Sequence, residues 1–534
     1  MARKAVICEC TSNGIFLVRD CIDQGLDPVV VYPPLPAGED DFAGRMRRIA
    51  EQRIVDLAEV VRPADMDDLV SRLEGYDIAC VIAGSEYGIP YADRLSSILG
   101  LPGNDPSTTP DRTDKLHMHR ALERAGLRHI RTVPVRSDED VTGFWSGKPV
   151  IVKPSASVAT IGVHLCQTLD ECLEAYREDR GTGGWTGGGV GEIVLQDYID
   201  GPEFIVNTLS RDGVHRITDM WAYWKQNIGC GVAYDCAMTV SEPTDSDRAT
   251  ADYALKVLDA VGMMNGPAHL EIKSDADGPV LIEINARPMG GHFTVGSLDI
   301  ALGHHITDIA LRSAVDPGFI STLPEGIPLM GNMGLKVLIM HESRIVDTAP
   351  LHALMSHLDG FRNLQCDVEP GVPTFIERTE SLASSPASVE ILHEDGSGVM
   401  EDFAMVSAIE KRYPDLLYGF SGDRPERMPP SGSDVPPDAG VADDDGLHLP
   451  EGGFDRYVVR VSDMPLDRFY DTFLEGLGHL RPDGTVTIDP CVFGVVPYGR
   501  KGMTALLMMA GLEFDPISDD GGMTATKVRS ERQA

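Results

Sequence analysis

Leu281-Ile282-Glu283-Ile284-Asn285-Ala286-Arg287-Pro288 is the stretch on which the reading of this chain turns. Laid out as a strand, it alternates. Ile282, Ile284 and Ala286 fall on one face; Glu283, Asn285 and Arg287 fall on the other. The apolar face packs on a core. The polar face presents a carboxylate, an amide and a guanidinium in a row. The first two are hard oxygen ligands suited to Mg²⁺, and the third holds a phosphate or a developing oxyanion. Most polar strand faces are merely solvated, so context decides. His269-Leu270-Glu271-Ile272-Lys273 alternates in the same way, and Asp275-Ala276-Asp277-Gly278 between the two is turn chemistry. A hairpin then sets Glu271 beside Glu283, and two such carboxylates repel unless a cation lies between them.

The 534 residues suffice for three or four domains, and 42% hydrophobic with 24% charged residues is ordinary globular composition. A formal net charge of -37 excludes nucleic acid and anionic membrane surfaces as partners, because affinity for both rests on Lys and Arg. Ten scattered cysteines without a C-x-x-C pair argue against a disulfide framework or a structural zinc site. Cys8 and Cys10 read as packing residues of a buried strand. Neither a signal peptide nor an apolar run of membrane-spanning length is seen, so a cytoplasmic location is expected.

The first part of the chain alternates strand and helix: strands at 4–8, 28–32 and 78–83, helices at 15–25 and 66–74, with Thr11-Ser12-Asn13-Gly14 as loop and helix cap. That implies a parallel sheet of the Rossmann kind, though without G-x-G-x-x-G. A helix from Asp114 closes at Gly126, and Lys153 sits on a strand at 148–154. The glycine-rich 181–191 reads as a flexible connection. The overall class is α/β and α+β, multidomain. The expected borders are 1–112 (Rossmann-like), 113–205 (lid), 206–423 (central and C-terminal body), 424–453 (Pro/Gly/Asp-rich linker) and 454–534 (a small α+β module with a frayed tail).

Five motifs in order resemble the ATP-grasp superfamily, specifically its carboxylate–amine ligases, across about residues 4–420. They are Asp114-Lys115 with its closing Gly126, Val152-Lys153-Pro154, and Leu195-Gln196-Asp197-Tyr198-Ile199-Asp200-Gly201-Pro202-Glu203-Phe204. Gly266-Pro267-Ala268-His269-Leu270-Glu271 and Glu283-Ile284-Asn285-Ala286-Arg287-Pro288 complete the set. Asp219-Met220-Trp221-Ala222-Tyr223-Trp224-Lys225 and Ala233-Tyr234-Asp235 further resemble L-amino-acid ligases that make dipeptides.

The resemblance implies an ATP-grasp fold with ATP and two Mg²⁺ ions as cofactors, Mn²⁺ being an alternative. It assigns Lys115 and Lys153 to the phosphates, Lys153 also acting in catalysis. Gln196 and the backbone of Asp197 and Ile199 go to adenine, and Glu203 to the ribose hydroxyls. Glu271, Glu283 and Asn285 go to the metals, and Arg287 to the acyl phosphate. Relatives have more glycine after the second lysine; here the hydroxyls of Ser155, Ser157 and Thr160 take that place as phosphate contacts. Glu86, at a strand end, is a candidate for a substrate ammonium or a helix cap. Trp221, Tyr223 and Tyr234 are candidates for a pocket wall or for core packing. His269 shares the polar face with Glu271 and reads as packing, or as a support behind the metal ligands, rather than as a ligand.

The expected reaction is ATP-dependent amide formation between small carboxylate and amine substrates, alpha- or gamma-linked, in specialised metabolism. It runs through an acyl phosphate and releases ADP and phosphate, and a homodimer is one assembly left open. The alternatives are a ligase or carboxylase of primary metabolism that activates bicarbonate, formate or another small carboxylate, and a nucleotide-binding regulator with a degenerate site.

Overall fold

The computed structural model describes residues 3–35, 42–156, 162–181, 192–228, 231–291, 293–341, 343–366, 385–412 and 439–450. It further describes 454–461, 466–488, 512–515 and 523–527, with a few isolated positions between these spans. The chain divides into two compact units. One is Met1–Val337 with Glu380–Ala383 and Leu392–Val399; the other is Leu338–Thr379 with Ser384–Ile391 and Met400–Ala534.

The first unit begins with β1 (Lys4–Cys8), α1 (Phe16–Asp23), β2 (Asp27–Val31), α2 (Phe42–Ile54), β3 (Glu59–Val61), α3 (Met66–Arg72), β4 (Ile78–Ala83) and α4 (Ile89–Leu99). The four strands are parallel in the order β3-β2-β1-β4. The order reverses beside β1, where open α/β sheets form a crevice. Two glycines make that crevice tight. A Cβ on Gly84 would stand 2.5 Å from the Glu9 carbonyl oxygen, and one on Gly88 would stand 2.0 Å from that of Cys8. The expected cap at Thr11 is absent. Ser12–Ile15 is a 3-10 turn running into α1 without a side-chain cap, and the Thr11 hydroxyl bonds Ser85 instead, at 3.0 Å.

Next come α5 (Pro110–Thr113) and α6 (Lys115–Arg124), then β5 (Thr132–Val135), α7 (Asp138–Phe144), β6 (Val150–Pro154), β7 (His164–Cys166), α8 (Leu169–Gly181) and β8 (Ile193–Asp197). These strands form an antiparallel sheet, β5-β8-β6-β7, packed through Val150, Val152 and Leu195 on the helices. The glycine-rich 182–191, and Ser157 and Thr160, lie outside the described residues.

The body of the unit is an antiparallel sheet from β9 (Glu203–Arg211), β10 (Val214–Ile228), β11 (Gly231–Thr239), α9 (Asp245–Ala260), β12 (Gly266–Asp275), β13 (Gly278–Asn285), α10 (Val295–Leu302), α11 (Ile306–Val315) and β14 (Asn332–Val337). Its strands run β13-β12-β9-β10-β11-β14. On one face Phe204, Val206, Met220, Leu270, Ile272, Leu281 and Ile284 pack with Ala254, Val257 and Leu258 of α9. The expected hairpin forms, with Gly278 in the turn at φ 101°. The strict alternation does not hold throughout. A bulge leaves Ile282 without a partner, so Leu281 and Ile284 share the core face and Ile282 is only half-buried.

In the second unit Phe361–Cys366 pairs antiparallel with Ala387–Ile391, and Arg344–Val346 with Thr374–Ile376. Its C-terminal sheet orders Gly446–His448, Gly440–Asp443, Phe454–Val459, Leu480–Ile488, Met523–Lys527 and Leu512–Asp515, with the helix Leu466–His479. The 424–453 stretch expected as a linker therefore carries a hairpin at 440–448 that joins this sheet through Phe454–Val459. The rest of that stretch that bears on the linker reading, 424–438, lies outside the described residues, as does most of the tail. Among the described residues no helix is long and apolar enough to cross a membrane.

Candidate functional site

Strand register sets three rows of side chains across the other face of the central sheet. The first row is Tyr223, Glu203, Lys273. The second is Trp221, Ile205, Glu271, Glu283. The third is Asp219, Asn207, His269, Asn285. Directly opposed residues of an antiparallel pair share a face, so the polar positions of four strands gather on one surface. Glu271 and Glu283 stand opposite each other, as the hairpin reading required.

Cations already hold both carboxylates. Lys115 Nζ lies 3.0 Å from Glu283 Oε1, and Lys225 Nζ lies 3.3 Å from Glu271 Oε2 while also bonding Glu203. Burial opposes the charge on Lys225, but the two carboxylates outweigh it and hold the ammonium well above its ordinary value. Burial likewise opposes ionisation of Glu271, yet Lys225 and His269 hold its carboxyl low. Burial pushes Glu203 up, Lys225 offsetting only part of it. Lys225 closes the aromatic segment Asp219-Met220-Trp221-Ala222-Tyr223-Trp224-Lys225, and its role emerges from the register. The i, i+2 spacing of Trp221, Tyr223 and Lys225 was the signal that all three share one face. Its ammonium sits 5.1 Å from the Tyr223 ring centre and 4.7 Å from that of Tyr234, and the two rings stack at 4.9 Å. These tyrosines thus floor the region beside the carboxylates. Trp221 is a different case. It has no exposed surface, packs 5.1 Å from Phe293 and donates its indole N–H to Asp219, which accords with core packing, one of the two readings open for it.

Lys115 and Lys153 come from two elements fastened together. Asp114 caps α6 by accepting from the His117 N–H, and its second oxygen accepts from the Ser155 hydroxyl at 2.6 Å. The Lys115 N–H donates to the Ser155 carbonyl. The Ser155 side chain is therefore a buried strut between β6 and α6, not the phosphate contact expected of it. Lys153 is buried on β6; burial, with Lys115 second, pushes its ammonium down to about 7.

Gln196 is buried, its amide nitrogen donating to Thr132 at 2.8 Å. The Asp197 carboxylate pairs with Arg131 and its N–H bonds the Arg131 carbonyl, while the Ile199 carbonyl accepts from Lys273 at 3.0 Å. Arg287 extends from the end of β13 to Glu86, donating from Nε at 2.9 Å and pairing through Nη2. Glu86 is thus a partner of Arg287. Burial works against its ionisation, but Arg287 outweighs that and holds the carboxyl below its usual range. Asn13 also reaches across, donating to the Met289 carbonyl at 2.9 Å.

Whether this surface suits Mg²⁺ follows from its donors. Among the described residues no three His, Cys, Asp or Glu side chains gather as a metal cage. Mg²⁺ that bridges phosphates takes only one or two carboxylates from the protein, and the Glu271/Glu283 pair with the Asn285 amide offers oxygen donors alone. The set fits.

Residues 146–295 match the family model described as the ATP-grasp domain. The chain carries an ATP-grasp domain. The match spans β6 to the start of α10 and so holds all three rows of the site. The chain is 30% identical over 237 residues to dapdiamide A synthase of Enterobacter agglomerans, covering 43% of this chain and 56% of that protein. It is 24% identical over 288 residues to a D-alanine--D-alanine ligase of Delftia acidovorans, covering 50% of this chain and 84% of that one. The chain thus spans about half the length of the first of these relatives. The solved L-amino acid ligase of Bacillus licheniformis superimposes with a TM-score of 0.62 at 18% identity, over 76% of this chain and 97% of that one. The expected ATP-grasp fold is the one observed.

Proposed function

We propose that this chain is an ATP-dependent ligase that joins the carboxylate of one amino acid to the amine of another, as the names of its relatives suggest. One observation carries the reading: Glu203, Lys225, Glu271 and Glu283 share one sheet face inside the ATP-grasp domain, and Lys115 reaches Glu283 from α6.

A substrate carboxylate oxygen attacks the γ-phosphorus, and the bond from that phosphorus to ADP breaks. The amine nitrogen of the second substrate then attacks the acyl carbon, the carbon–oxygen bond to phosphate breaks, and the amine gives up a proton. Lys115 and Lys153 neutralise the phosphates as point charges. Gln196, the Asp197 carbonyl and the Ile199 N–H address the adenine edge, and Glu203 the ribose. Glu271, Glu283 and Asn285 hold Mg²⁺, which supplies charge neutralisation at the transferring phosphoryl group. Arg287 steadies the acyl phosphate and the oxyanion that follows it. The lid at 113–205 excludes water, which would otherwise hydrolyse the acyl phosphate.

Incubation with Mg-ATP and pools of amino acids tests this. The expected products are ADP, phosphate and a new amide mass. ADP release independent of amino acids overturns the ligase reading, and AMP with pyrophosphate overturns the acyl-phosphate route.

A further inference from the structure

We propose that Arg112 is a positioning residue for the nucleotide site: it fixes the start of α6, and through it Lys115, against the strands that carry Glu271 and Glu283. The inference rests on the reading of Lys115 as a phosphate contact and names what holds that lysine in place.

Arg112 lies in α5, just before Asp114 and Lys115, and its side chain has no exposed surface. Its two terminal nitrogens reach three parts of the fold. Nη1 donates to the Val261 carbonyl at 2.9 Å, the Gly262 carbonyl at 3.2 Å and the Thr108 hydroxyl at 2.7 Å. Nη2 pairs with Asp93 Oδ2 at 2.8 Å and donates to the Asp105 carbonyl at 3.3 Å. Val261 caps the C-terminal end of α9, where carbonyls lack intrahelical donors and a cation is favoured. Asp93, on α4, is held in turn by the Thr109 hydroxyl at 2.7 Å and Asn104 Nδ2 at 3.2 Å. Asn104 Oδ1 then accepts from the Met264 and Asn265 N–H groups at 2.8 and 2.9 Å. One buried network thus joins α4, α5 and the turn between α9 and β12. A buried ion pair is by itself weak evidence for stability. Arg112 Nε, moreover, finds no partner among the described residues. The side chain is placed for the reach of its terminal nitrogens and not for its own satisfaction.

That reach bears on the site because of what α9 supports. Val257 and Leu258 of α9 pack under Leu270, Ile272, Leu281 and Ile284, on the strands that carry Glu271 and Glu283. Met118, Ala121 and Leu122 bury α6 on the same core. Apolar contacts of this kind are non-directional and oppose sliding of a helix only weakly. Hydrogen bonds of set length and angle oppose it strongly. Arg112 supplies such bonds between the end of α9 and the start of α6, from which Lys115 reaches Glu283 Oε1 at 3.0 Å. The bonds that Asp114 and the Lys115 N–H make to Ser155 lead to β6 instead.

Arg112→Lys tests this. It keeps a positive charge beside Asp93, but a single ammonium cannot repeat the fork from Asp93 to the end of α9. We expect the Kd for a non-hydrolysable ATP analogue with Mg²⁺ to rise roughly tenfold. In a Lys115→Met background the same substitution should change Kd by less than about twofold, because the lysine that it positions is gone. Thr113→Val removes a bond within α5, from the Thr113 hydroxyl to the Thr109 carbonyl. It leaves Arg112 in place and should bind the analogue as wild type does. Wild-type affinity in Arg112→Lys, an equal loss in both backgrounds, or the same loss in Thr113→Val overturns the proposal. Should Arg112→Lys fail to fold, Arg112→Gln combined with Asp93→Asn removes both buried charges together. The same comparison with and without Lys115 then decides. Wild-type affinity in Lys115→Met alone instead defeats the phosphate reading of Lys115 on which this one stands.

Discussion

The two faces of the central sheet are built by the same strands and carry opposite chemistry. Toward α9 the side chains are Phe204, Val206, Met220, Leu270, Ile272, Leu281 and Ile284. On the far side stand Glu203, Asn207, Asp219, Lys225, His269, Glu271 and Asn285. The apolar face needs only aliphatic residues of about the right size. The polar face needs register, since a slip of one residue would turn its carboxylates into the core. Bulges manage the border between the two. Thr218 and Ile282 each lack a partner, which lets Ile217 and Met220, and Leu281 and Ile284, share the core face at a spacing of three. The residue after each bulge, Asp219 or Glu283, is thereby turned to the site.

That contrast can be broken from either side. The largest effect is expected from Glu283→Ala. ADP formation should fall on the order of 10³-fold, about 4 kcal/mol, while the thermal midpoint stays close to wild type. Retained turnover would show that the carboxylate pair is not the metal site. On the opposite face, Leu270→Ala should cost about 3 kcal/mol of stability in denaturant titrations, with nucleotide affinity of the folded protein unaltered. Weakened nucleotide binding there would mean that the faces are not independent.

A smaller, graded effect concerns pH. The Lys153 ammonium is held down to about 7 by burial and Lys115, and phosphates beside it favour the charged form. Nucleotide binding above pH 7 should therefore take up a proton, and affinity should fall by up to about tenfold per unit as pH rises from there. Calorimetry in buffers of different ionisation enthalpy reads the proton uptake directly; none would place the phosphates elsewhere. The smallest effect is expected from Trp221→Phe, which loses the indole bond to Asp219 and about 1 kcal/mol of stability. A change in amino-acid preference in that variant would return Trp221 to the substrate pocket.

How much of this was legible in the sequence follows from the length scale of each interaction. The hairpin at 266–285, the helix from Asp114 and the lysine strand are local, and their residues announced them. The bulge at Ile282 was hidden because an isoleucine fits an apolar position whether or not it is paired. Asn207 and Asp219 were invisible as a pair. Each is one polar residue in a strand, and what joins them to His269 is a register spanning 62 residues of chain. Ser155 was misassigned for a related reason: a hydroxyl after a phosphate-binding lysine looks like a phosphate contact until its partner, Asp114, arrives from 41 residues earlier.

The fork of Arg287 deserves a last consideration, because its backbone and its partner have different owners. The backbone belongs to the end of β13, while the guanidinium is gripped by Glu86 at the end of β4, and Asn13 tethers the neighbouring Met289 carbonyl. The parallel sheet is thus geared to Arg287. Substitutions in the turn after β4, Gly88 above all, should retune the reach of the arginine while leaving the residues of the central sheet unchanged. In such a protein, selection on the first hundred residues is also selection on the strand that carries Arg287.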